Sequence, residues 1–206
     1  MVRKSEAIVG KAFFLAALQQ LQSGQRVGES MLISAIRYAL YTRKLEELDD
    51  LLQEAGDNRK VLAAAAICAI ETLASEILRN LKNIREIVQF YPHELFEAAY
   101  TSEKPVQMLT ALFNLGLSVD ADFGVVARHA VQDGNRDVVR LCIRCFDRVP
   151  LIRKTLPLEM LQDAIDSGHL DIAKDLCRDG TELFRISPEY QKKFAALNGS
   201  KKTHRV

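Results

Sequence analysis

The stretch Ala164-Ile165-Asp166-Ser167-Gly168-His169-Leu170-Asp171-Ile172-Ala173-Lys174-Asp175-Leu176-Cys177-Arg178-Asp179-Gly180 decides how the chain reads. One helical period stops inside it and another starts. Gly168 follows the first helix, where a left-handed residue ends it at little cost. Asp171 falls in the first turn of the second helix, favourably placed against its dipole. Ile172 and Leu176 form an apolar stripe that one helix pair is too small to bury. Thirty-four residues earlier the string returns as Ala130, Gly134, Asp137, Val138, Val139, Leu141 and Cys142. The small residues Ala130 and Ala164 let the helices of a unit approach closely, and stacked neighbours would bury the stripes.

Gln107 to Ala121 matches the second helix and the segment after it, with Ser102-Glu103-Lys104-Pro105 replacing the Gly-His turn. Leu45 to Gly56 resembles the same second helix with one extra residue. The closing glycines keep this register: Gly56 to Gly116 is 60 residues and Gly116 to Gly180 is 64. Each interval fits two repeats of about 33 residues. Apolar periodicity predicts helices over 5–22, 29–42, 44–55, 59–71, 74–89, 93–101, 105–115, 123–132, 136–146, 157–166, 170–179 and 188–197. No period-2 strand is expected.

The motif over 164–180 resembles the heart of an ankyrin repeat: small residues closing a helix, a Gly-His turn, then a second helix closing on Gly. The resemblance is specific over 93–180 and weaker over 30–57. It departs from the family at the Thr-Pro-Leu-His opening, where Val125-Val126-Ala127-Arg128 and Glu159-Met160-Leu161-Gln162 stand instead, and after Cys145, where Phe146-Asp147-Arg148-Val149-Pro150 replaces the finger. The implied fold is an all-α solenoid of stacked helical hairpins, with an irregular α-α superhelix as the alternative. The expected organisation is a single repeat domain over 1–198 with a basic, flexible tail at 199–206. Within it lie a capping helix at 5–22, units near 29–57, 58–91, 92–121, 122–155 and 156–187, and a capping helix at 188–197.

Composition agrees with a folded chain. Of 206 residues, 48% are apolar and 27% charged, which is ordinary for a globular protein. The 28 basic residues against 27 acidic argue against a global nucleic-acid-binding role, which usually shows a basic excess. No apolar run approaches the roughly 20 residues of a membrane span. At the N-terminus, Arg3 and Lys4 precede Ala12-Phe13-Phe14-Leu15-Ala16-Ala17-Leu18, a faint imitation of a signal peptide interrupted by Glu6 and Lys11. An amphipathic helix is the better reading, with Phe14, Leu18 and Leu21 on one face and Ile8, Ala12 and Leu15 beside it. Four unevenly spread cysteines suggest reduced thiols and a cytoplasmic setting.

Catalytic constellations do not emerge. Cys142-Ile143-Arg144-Cys145 is a C-x-x-C, but no second ligand pair accompanies it, and Cys142 aligns with the core-type Leu176. His169 occupies the turn, and no G-x-S-x-G, H-x-x-x-H or Gly-rich phosphate loop occurs. Neither an enzyme, a cofactor nor a metal is expected. What the resemblance implies is a protein-binding adaptor; divergent ankyrin repeats also occur in bacterial effectors that act in a host cytoplasm. Its binding strip would use finger tips and the open sides of the first helices: Glu97, Tyr100, Asp120, Asp122, Arg128, Gln132, Gln162 and Asp166. Tyr100 is the anchor candidate, since hot spots favour Tyr and Arg. A second candidate surface is the basic run Arg136, Arg140, Arg144, Arg148, Arg153 and Lys154, which would take RNA or anionic lipid. Residues 135–154 hold six basic and two acidic residues. An acidic counterpart lies at Glu46, Glu47, Asp49, Asp50 and Glu54.

Overall fold

The computed structural model describes residues 4–118, 124–146, 156–177 and 185–200. Among them the chain is all-helical, with thirteen helices and no strand. It divides into two compact units, residues 1–117 and 118–206.

The first unit contains α1 (Lys4–Gln22), α2 (Glu29–Thr42), α3 (Leu45–Ala55), α4 (Arg59–Glu71), α5 (Ser75–Asn80), α6 (Ile84–Phe90), α7 (Pro92–Thr101) and α8 (Pro105–Asn114). Helix α2 lies against α4, and α4 against α7. Each has a companion: α3 beside α2, α5 beside α4 and α8 beside α7. The Ala-rich α4 is central, and eight of its thirteen residues are buried. Its side chains are short enough for α2 and α7 to close on it from two sides. Asn58 caps it, its side chain accepting from the amides of Lys60 and Val61, which satisfies donors the helix cannot use internally.

In the second unit, α9 (Val125–Gln132), α10 (Arg136–Phe146), α11 (Leu156–Asp166), α12 (Leu170–Leu176) and α13 (Pro188–Ser200) follow the same plan. Helix α9 packs on α10 and α11, α11 on α12 and α13, and α10 on α12. The basis is the repeated stripe, with Val138, Val139, Cys142, Ile172, Ala173 and Leu176 all buried.

One turn recurs in both units. Ala39, Ala69, Ala99, Ala130 and Ala164 stand 30, 30, 31 and 34 residues apart, and all are 0% exposed. In four cases the helix ends alike. The amides of Lys44, Ala74, Asn135 and His169 donate to the carbonyls of Ala39, Ala69, Ala130 and Ala164 at 2.9, 2.7, 2.8 and 2.8 Å. The intervening Arg43, Leu73, Gly134 and Gly168 take φ of 57, 57, 72 and 74°. This is the Schellman pattern, which uses up otherwise orphaned carbonyls. At Ala99 it is absent. Pro105 opens α8, and the ring of a proline drives the preceding residue out of the helical region. Lys104, which precedes Pro105, is accordingly outside the helical region, and the chain already leaves α7 through an extended Ser102.

Three expectations from the sequence need correction. The helix expected over 74–89 is two helices: Leu81 is extended and Asn83 is left-handed, with φ 56°. Leu78, Leu81, Ile84, Ile87 and Val88 keep helical spacing across the break and are all buried, so periodicity conceals it. The C-terminal helix continues through Ser200, past the expected end at 197. In α1, Phe14 is buried and stacks near Tyr38 at 5.1 Å between centroids, but Ala12 and Leu15 face solvent and do not extend the packed face.

Candidate functional site

The recurring alanines define which side of each first helix is open. A residue two before and one two after each alanine lie on one helical face. In the first unit these are Arg37 and Tyr41 on α2, Ile67 and Glu71 on α4, and Glu97 and Thr101 on α7. In the second they are Arg128 and Gln132 on α9, and Gln162 and Asp166 on α11. All ten are exposed or half-exposed. Residues one after the alanine, Leu40, Ile70, Val131 and Ile165, are buried. The strip is therefore produced by the same geometry that buries the core.

Five of the strip residues expected from the sequence sit in this register: Glu97, Arg128, Gln132, Gln162 and Asp166. Tyr100 does not. It follows Ala99 directly, in line with the buried row, and is itself half-buried. Asp120 and Asp122 lie outside the described residues. Arg37, Tyr41, Ile67, Glu71 and Thr101 join the strip without having been expected from the sequence. The ankyrin-like motif marks its turn with Gly, whereas α2 and α4 end on turns that carry Arg43 and Leu73. The alanine spacing is the usable signal.

Polar contacts run between neighbouring first helices. In the first unit the Tyr41 hydroxyl donates to Glu71 Oε2 at 3.0 Å. Partial burial, with the Glu71 carboxylate beside it, pushes that hydroxyl up to about 12. In the second unit Arg128 grips Asp163 through two bonds, Nε to Oδ2 at 2.6 Å and Nη2 to Oδ1 at 3.1 Å, and reaches Glu159 at 3.4 Å. Asp166 accepts from the Tyr190 hydroxyl at 2.7 Å and Lys193 Nζ at 3.1 Å. Tyr190 first, then Lys193, holds its carboxyl below the usual range. Pairs so close to solvent contribute little to stability. Their larger effect is positional, since they fix long side chains that would otherwise be free to rotate.

His169 links successive turns. Its Nε2 donates to the Gln132 carbonyl at 2.9 Å, and its ring lies over Gly134, where an added Cβ would meet Cε1 at 2.8 Å.

The basic run offers less free charge than its sequence implies. Arg136 donates to both oxygens of Asp175, at 2.7 and 2.9 Å, and Arg140 donates to Oδ2 at 2.9 Å. The bond from Arg136, and then that from Arg140, lowers the Asp175 carboxyl to about 2. Arg144 is exposed on the same helix; Arg148, Arg153 and Lys154 lie outside the described residues. In the acidic face, Glu47 pairs with Lys44 at 3.3 Å and Glu54 accepts from the Val27 amide at 3.1 Å, whereas Glu46, Asp49 and Asp50 are exposed. Cys142 is buried, which pushes its thiol up to about 12, and Cys145 is half-buried. No group of three metal-ligating side chains occurs among the described residues.

Compared with protein-family models, curated proteins and solved structures, the chain matches none.

Proposed function

We propose that the chain is a protein-interaction module in which ankyrin-like helical hairpins stack and a partner protein binds along the open sides of the first helices. The observation that supports it most is the strip itself. The positions flanking Ala39, Ala69, Ala99, Ala130 and Ala164 are polar or aromatic in nine of ten cases, while the five alanines themselves are wholly buried. Short hairpins with buried stripes need neighbours on both sides, and stacking supplies them. The reading is one of binding, supported by strip side chains that neighbouring helices hold in place, Tyr41 by Glu71, Arg128 by Asp163 and Asp166 by Tyr190 and Lys193.

Within the first unit, Arg37 and Tyr41 are the anchor residues. Both are of the types that concentrate interface energy. Tyr41 is 47% exposed, and its bond to Glu71 holds the ring in place. Tyr100, in the half-buried row, is the weaker anchor.

Photo-crosslinking in the native cell tests this. A crosslinking amino acid at Arg37, Glu71 or Glu97 should trap one common partner protein. The same group at Asp50 or Arg79, exposed on the companion helices, should not. Equal trapping from both sets, or trapping from the companion helices alone, refutes the strip.

A further inference from the structure

Seven large apolar side chains are exposed among the described residues, and three of them lie on α1: Val9 at 53%, Phe13 at 39% and Leu15 at 54%. Ala12 is exposed among them. The opposite face, with Phe14 and Ala17, is already buried. Helix α1 is thus apolar on both sides, yet only one side is covered. Helices of that composition are ordinarily buried all round or lie at an apolar boundary.

Charge selects the boundary. Residues 1–28 hold Arg3, Lys4, Lys11 and Arg26 against the single acid Glu6, in a chain that is otherwise balanced. Lys11 is exposed between Val9 and Leu15. The exposed Leu45, by contrast, opens an acidic helix with Glu46, Glu47, Asp49 and Asp50 behind it. A second copy of α1 would bring like charges together. An anionic bilayer surface would receive both the apolar face and Lys11. No described helix is long and apolar enough to cross a membrane, so the contact is with its surface.

The geometry points to α1 as a docking face for anionic phospholipid, with Val9, Phe13 and Leu15 entering the acyl boundary and Lys11 at the headgroups. Helix α1 does this while still packed on α2, since its buried and exposed faces are different residues.

The chain has no Trp, so Phe13→Trp gives a single reporter. With vesicles of phosphatidylcholine and phosphatidylserine at low salt, its emission should shift to the blue. It should not do so with phosphatidylcholine alone, and Phe90→Trp, also exposed, should stay unchanged. In co-sedimentation of the full chain, Lys11→Glu should weaken vesicle binding about tenfold or more. A protein carrying Val9→Ser, Phe13→Ser and Leu15→Ser, with an unaltered helical circular dichroism spectrum, should stay in the supernatant. An unshifted Phe13→Trp spectrum on anionic vesicles overturns the proposal, as does an equal shift from Phe90→Trp. So does a dimer in sedimentation velocity that the triple variant dissolves while wild type ignores vesicles.

Discussion

The turn after α2 and the turn after α9 have nearly the same backbone but different chemistry. Both close on a buried alanine, and both return an amide to that alanine's carbonyl. The α9 turn places Gly134 at the left-handed position; the α2 turn places Arg43 there, and the α4 turn Leu73. A side chain in that conformation costs roughly 1–2 kcal/mol. The cost is tolerated because the alanine, not the glycine, sets the spacing of the helices. Glycine makes the turn cheap, whereas a small residue at the contact makes it necessary.

That comparison is open to attack in order of expected effect. Leucine in place of Ala69 or Ala130 should overpack the contact and cost about 3 kcal/mol, read by chemical denaturation. Similar losses in both units are expected, and a neutral Ala69→Leu would separate the first unit from the second. Gly134→Ala should cost about 2 kcal/mol, because strain adds to the close approach of the His169 ring. Gly168→Ala meets nothing within 4 Å, so only the strain, about 1 kcal/mol, should appear.

Smaller effects follow from the pairing of Asp175 with Arg136 and Arg140. Its carboxyl is lowered to about 2 from an ordinary 3.8. The contribution is therefore complete above about pH 4 and lost as the pH falls towards 2. Asp175→Asn should reduce stability at neutral pH by no more than about 1 kcal/mol, because both arginines are more than two-fifths exposed. Its deficit relative to wild type should close below about pH 4 in acid denaturation curves. Arg43→Gly should do the reverse of the other substitutions and stabilise the fold by about 0.5 kcal/mol. A loss of stability there would mean that the arginine side chain contributes more than its backbone strain removes.

Much of this architecture is legible in the amino-acid sequence. Helical periodicity locates nearly every helix, and the Gly134 and Gly168 strings fix the second unit. Glu97, Arg128, Gln132, Gln162 and Asp166 follow from that register. The remainder is hidden for physical reasons. Arg43 and Leu73 carry no local mark of a left-handed residue, so Arg37, Tyr41, Ile67 and Glu71 are invisible to a glycine-based register. The break at 81–83 leaves the apolar spacing intact. The basic run reads as free charge because Asp175, which neutralises part of it, comes from another helix 39 residues from Arg136.

Amide hydrogen exchange at Lys44, Ala74, Asn135 and His169 tests the repeated turn most directly, and the proposed binding strip depends on that register. All four amides donate to the alanine carbonyl in the structure, and the account predicts that all four exchange far more slowly than an open amide. Protection at Asn135 and His169 with free exchange at Lys44 and Ala74 would contradict it, and would leave the repeat, with its strip, to the second unit alone.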